Sequence, residues 1–104
     1  MAKQHIIVWS QTAISQRNNI LNYWIEKNGS AVYAKKLVGL IKKRVVIISK
    51  NPNAFKQTDF MNHRISAMGH FSIVYKVVGK KIIITAFWDN RQDPNGLLKV
   101  LKND

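Results

Sequence analysis

At 104 residues and 46% hydrophobic content, the chain is long enough for one core and too apolar to be a disordered tail. It has no Cys, which excludes disulfides and thiolate zinc sites and fits a reducing cytoplasm. Seventeen Lys and Arg against five acids give a formal charge of +12, so the partner to expect is polyanionic: nucleic acid, an acidic protein or an anionic membrane surface. The longest apolar run, residues 82–88, is far too short to span a bilayer. The four-residue apolar stretch near the start is likewise too short for a signal-peptide core.

Residues 5–9 read as a short buried strand, with His5 structural. A helix follows, capped by Ser10 or Thr12, with Ala13, Ile14, Ile20, Leu21, Trp24 and Ile25 at helical spacing to about Lys27. Asn28-Gly29 stops it, because glycine accepts the left-handed conformation found at helix ends. Ser30 is placed to cap a second helix, and so short a connection folds the two helices into a hairpin. In the second helix Ala34, Leu37, Val38, Ile41, Val45 and Ile48 form one stripe, while Lys35, Lys36, Lys42, Lys43 and Lys50 lie outside it. Leu40, Val46 and Ile47 fall among those lysines. Either the helix is broadly buried, or these three residues with Lys43 form a partner-binding surface. Asn51-Pro52-Asn53 ends the helix.

From residue 60 onward the period changes to two. Met61, His63, Ile65 and Ala67 alternate with Asn62, Arg64 and Ser66. Phe71, Ile73, Tyr75 and Val77 share a strand face, and Val74 and Val78 make the other face partly apolar, as in a central strand. Gly79-Lys80 is a two-residue hairpin turn. The next strand, residues 82–88, has Phe87 and Trp88 as core residues and runs into Asp89-Asn90-Arg91-Gln92-Asp93-Pro94. One guanidinium therefore stands at a strand end, beside Asp89 and Asp93 that could orient it, and Arg is suited to two-pronged phosphate contact. Residues 96–101 read as a short, weakly amphipathic tail. The order β-α-α-β-β-β implies a single α+β domain over residues 1–104, in two layers, with the helical hairpin on a mainly antiparallel sheet.

That order, the basic charge, and Gly69-His70-Phe71-Ser72-Ile73-Val74-Tyr75 leading to Trp88-Asp89-Asn90-Arg91-Gln92-Asp93-Pro94 resemble the RelE/ParE family of toxins from bacterial type II toxin–antitoxin systems. The resemblance covers nearly the whole chain. It implies a cytoplasmic toxin with no metal or other cofactor and no membrane partner. It also implies a cognate acidic antitoxin whose partly disordered segment wraps the toxin, and Leu40, Lys43, Val46 and Ile47 are the residues expected to meet it. RelE-like members cut mRNA on the ribosome. ParE-like members share the fold, poison DNA gyrase and cut no RNA.

Metal-free RNA cleavage needs a base for the 2′-OH, cations for the charged phosphorane and an acid for the leaving oxygen. The candidates are Arg91, His63, Arg64 and His70, with Lys50, Lys56 and Lys76 contacting the RNA backbone. Arg91 aligns with the arginine that RNA-cleaving members place after the last strand, and His63 with a position where they often carry a basic residue. The family's arginine after the Gly-aromatic pair is Ser72 here, and its tyrosine near the C-terminus is Leu97. The leading expectation is a translation inhibitor that cleaves mRNA on the ribosome, with His63, Arg64 or His70 substituting for the missing groups. The alternatives are a ParE-like gyrase inhibitor and a basic nucleic-acid-binding module without toxicity.

Overall fold

The first strand, β1 (Ile6–Trp9), turns directly into α1 (Gln11–Asn28), and Ser10 makes the join by accepting a hydrogen bond from Ala13 N at 3.1 Å. This is a computed structural model describing residues 5–58, 62–92 and 94–103. Gly29, at φ +64°, ends α1 in the left-handed conformation. The second helix, α2 (Val32–Lys50), has Ala31 rather than Ser30 at its cap position, and the Ser30 hydroxyl accepts from Val32 N instead. A single 3-10 turn, Pro52–Ala54, leads to β2 (Lys56–Gln57). Three longer strands follow: β3 (His63–Met68), β4 (Phe71–Val78) and β5 (Lys81–Asp89). The chain then enters α3 (Pro94–Asn103). Met61 and Asp93 lie outside the described residues.

The sheet order is β1-β5-β4-β3-β2, with β1 parallel to β5 and every other pairing antiparallel. The helical hairpin covers one face. Ala13, Leu37, Ile41 and Ile48 meet Phe71, Ile73, Tyr75, Ile82, Ile84 and Phe87, all buried. Phe71 and Phe87 stack with ring centroids 5.5 Å apart. Of the expected α2 stripe, Leu37, Ile41 and Ile48 form its core face with Val45 half-buried at the margin, while Ala34 and the half-buried Val38 lie along the seam with α1.

A bulge decides what the end of β5 presents. Val74 pairs with Ala86 but Tyr75 pairs with Ile84, so Thr85 is an extra residue whose hydroxyl donates to Val74 O at 3.3 Å. An extra residue inverts the alternation beyond it. Ile82 and Ile84 face the helices, and after the bulge Phe87 and Asp89 do so, leaving Ala86 and Trp88 on the opposite face. Beyond the end of β1, Phe87 N has no partner strand there, and the Gln16 side chain of α1 accepts its hydrogen bond at 2.9 Å.

Two sequence expectations are corrected. Residues 5–9 were expected as a buried strand, yet β1 is an edge with Ile6 60% exposed, because only its helix-facing residues Ile7 and Trp9 find cover. The expected weakly amphipathic tail is the helix α3, which adds a partial third layer on the opposite face. Leu97 and Leu101, one turn apart, pack on Val74, Ala86 and Ile65. Gly96 lets this helix approach closely, since a Cβ there would sit 3.1 Å from the Trp88 ring. Val78 lies beyond the reach of α3 and is exposed, so only part of β4 is covered on both faces.

Candidate functional site

The four expected catalytic side chains do not converge. His63 and Arg64 are adjacent in β3 and therefore point to opposite faces of the sheet. His63 is buried on the face away from the hairpin, across from Lys76. Arg64 lies on the helix side, pairs across from Tyr75, and donates from Nη1 to Phe55 O at 2.8 Å and Asn53 O at 3.4 Å. It ties β3 to the loop after α2. The Tyr75 hydroxyl nearby donates to Pro52 O, and burial pushes the phenol's pKa up, opposed by the Arg64 charge.

Arg91 and His70 stand at the other end of the sheet. His63 is opposite Lys76 and Asp89 is opposite Phe71, so the two positions are five residue steps apart along β4, roughly 17 Å at about 3.3 Å per residue. His70 is exposed in the turn between β3 and β4, where its carbonyl accepts from Asn90 N at 2.7 Å. Arg91 is clamped. Its Nε donates to Asp89 Oδ1 at 2.9 Å, its Nη2 to Asp89 Oδ2 at 2.6 Å, and its backbone N to Oδ1 at 2.9 Å. The hydrogen-bonded guanidinium holds the Asp89 carboxyl below the usual carboxylate range, with a smaller contribution from His70, and the carboxylate raises Arg91 in turn. The guanidinium also sits 5.6 Å from the Trp24 ring centroid on α1. Asp89 thus orients Arg91 as the sequence allowed, but toward the helices rather than toward His63.

The position of the family's missing arginine is the floor of a separate cleft on the opposite face. Ser72 is buried there and donates to Asn90 Oδ1 at 2.7 Å, with Lys56, Gln57, Thr58 and Ala67 around it. Lys56 is the one expected RNA-contacting cation lining this cleft. Lys76 lies half-buried farther along the same face, and Lys50 is exposed at the end of α2. Leu97, where such members carry tyrosine, packs into the α3 contact.

The expected antitoxin-contacting residues are all exposed, against the broadly buried alternative: Leu40, Val46 and Ile47 are each close to half exposed, and Lys43 is exposed. They divide between two grooves. Val46 joins Trp9, Leu21, Val38, Ile41 and Val45 in an apolar groove of about 670 Å³ between α1 and α2, rimmed by Arg17 and Lys42. Leu40, Lys43 and Ile47 line a smaller one beside Met68 and Gly69. Arg44, not singled out from sequence, is structural: its Nη1 donates to Ser66 Oγ at 2.9 Å and Ala67 O at 2.6 Å. The aromatic group of Tyr23, Trp24 and Tyr33 around Arg91 was also missed. Its only sequence signal is Tyr23 lying outside the apolar stripe of α1.

The fold matches a solved chain of the chromosomal ParDE toxin–antitoxin system of P. aeruginosa, with a TM-score of 0.73 and 21% identity over 83% of this chain and 96% of that one. No match to a curated protein is found. The family described as the ParE toxin of the type II toxin–antitoxin system parDE matches residues 7–94, so the chain belongs to the ParE toxin family.

Proposed function

We propose that the chain is a toxin that binds and inhibits DNA gyrase and does not cut RNA, and that an acidic antitoxin neutralises it along the helical hairpin. The observation that carries this reading is the dispersal of the acid, base and cation. Ser72 offers the cleft no guanidinium, Arg91 is bound to Asp89 on the other side of the sheet, and His63 lies roughly 17 Å away along the strand. General acid–base catalysis requires such groups within hydrogen-bond reach of one phosphate. Ribosome-dependent cleavage would have to run either on His63 with Lys56 and Lys76, or on the exposed His70 beside an Arg91 already held by Asp89. A protein that works by binding needs only a rigid surface, and family membership favours that mode. Gyrase as target places the action in the cytoplasm.

The antitoxin reading rests on the groove between α1 and α2. Its apolar floor and its cationic rim of Arg17 and Lys42 suit a segment with one apolar and one acidic face. A +12 chain would attract such a partner at long range, so its association rate should fall steeply with salt.

The test is purified protein against gyrase-driven supercoiling of plasmid DNA, and in parallel against mRNA on programmed ribosomes. Inhibited supercoiling with intact mRNA is the expected result. Ribosome-dependent cleavage with unaffected supercoiling would overturn the proposal.

A further inference from the structure

A corner where α1, α2 and the end of β5 meet has no role in the groove or the Ser72 cleft. Trp24 is its hub, with Tyr23 edge-on at 5.3 Å and 81°, and Tyr33 of α2 tilted at 5.1 Å. Two cations rest on these rings. The Arg91 guanidinium is 5.6 Å from Trp24, and the Lys27 ammonium is 5.2 Å from Trp24 and 5.7 Å from Tyr23. Asn19 and Gln92 complete a concavity of about 380 Å³.

Two properties mark this corner as a docking site rather than packing. First, it is held in place yet open. Arg91 is fixed by a carboxylate, by its own backbone and by an indole, but its side chain is 51% exposed, and its Nη1 makes no hydrogen bond among the described residues. Tyr23 is 52% exposed. Groups already ordered lose little entropy on binding, and Trp, Tyr and Arg are the side chains that dominate interface energetics. Second, it is separate from the groove. Asn18, Leu21 and Ile25 of α1 line the groove side, whereas Asn19, Tyr23 and Trp24 lie on the other flank of the helix.

We infer that this corner is the contact surface for the target, and that its occupant is a folded protein offering an Asp or Glu side chain to the free Nη1 edge of Arg91, with Tyr23 packing beside it. The inference rests on the reading of the chain as a binder of gyrase. The local charge favours protein over DNA. Asp89 offsets Arg91 within the corner and leaves Lys27 as the other cation there, whereas a duplex presents a charge about every 1.7 Å along its axis and calls for a row of cations. An antitoxin in the groove would still exclude a folded target by bulk, because the two surfaces are separated only by the width of α1, about 10 Å.

The experiment compares Tyr23→Ala, Arg91→Gln and, as a charge control, Lys80→Gln in the β4–β5 turn. The readouts are inhibition of supercoiling by purified gyrase, growth arrest on expression, and thermal unfolding. Tyr23→Ala and Arg91→Gln should each need at least tenfold more protein for half-inhibition, with Tyr23→Ala unfolding as the parent does and Lys80→Gln inhibiting within twofold of it. Arg91→Gln alone can loosen the loop, so Tyr23→Ala carries the decision. Unchanged inhibition by Tyr23→Ala overturns the inference. If the parent chain does not inhibit gyrase, the proposed target is wrong, and growth arrest then decides the corner: its loss in Tyr23→Ala supports the corner, its retention overturns it. If the parent binds a bare DNA duplex and that binding falls in the same variants, the occupant is DNA and the inference is overturned.

Discussion

On the helix-covered face of the sheet, three arginines are bolted down: Arg44 on Ser66 and the Ala67 carbonyl, Arg64 on the Phe55 carbonyl, and Arg91 on Asp89. On the opposite face Lys56 is exposed, and Ile6, Val8 and Val78 stand uncovered beyond the end of α3. The contrast separates two uses of positive charge. A planar guanidinium matches fixed carbonyls and carboxylates and becomes part of the framework, while a hydrated ammonium on a flexible stem stays available to a partner. A net charge of +12 therefore predicts attraction to an anionic partner without saying where the chemistry is, because Arg44 and Arg64 are committed to structure and Arg91, half exposed, is committed only along its Nε–Nη2 edge.

The sharpest way to break this comparison is through apolar side chains on the two faces. Ile84→Ala, fully buried under the hairpin, should cost about 2–5 kcal/mol in denaturant unfolding. Val78→Ala, 52% exposed on the open face, should stay within about 0.5 kcal/mol. Equal effects would mean that the open face is covered in the free protein.

The next effect is in the cations. Arg64→Ala removes the donor to the Phe55 and Asn53 carbonyls beside a buried tyrosine and should cost about 1–3 kcal/mol. Lys56→Ala should leave stability within about 0.5 kcal/mol. A stability loss at Lys56 and none at Arg64 would reverse the assignment of framework and free charge.

The smallest effect is in pH dependence. Asp89 ionises at lower pH in the native state than in the unfolded chain, where Asp titrates near 3.9. The Arg91 clamp thus contributes its full stability above that unfolded value, and the contribution is lost as pH falls through the lowered native one. Acid-unfolding curves of the parent and Asp89→Asn should converge toward low pH. Parallel curves would show that the clamp adds nothing.

Much of the framework was legible because its signals are local. Gly29 and Gly79, both at positive φ, ended a helix and turned a hairpin where the sequence placed them. The α2 stripe named its own core face. The edge position of β1 was not legible, since Ile6 and Val8 look the same whether or not a layer covers them. The third layer was missed because Leu97 and Leu101 acquire meaning only against Val74 and Ala86, distant in sequence. The arrangement of the site was only partly legible. That His63 and Arg64 cannot share a face follows from the strand period and was readable. The direction of Arg91 was not, because the extra residue at Thr85 reverses the alternation before Asp89, and nothing in 82–88 announces a bulge.

On the proposed function, the fold presents a binding surface and not a ribonuclease centre. Pulse labelling of DNA and protein synthesis in the first minutes after induction tests it most directly, with His63→Gln beside the parent. DNA synthesis should fall first, and a folded His63→Gln should be as toxic as the parent. A prompt fall in protein synthesis with cleaved mRNA, lost in a folded His63→Gln, would contradict it.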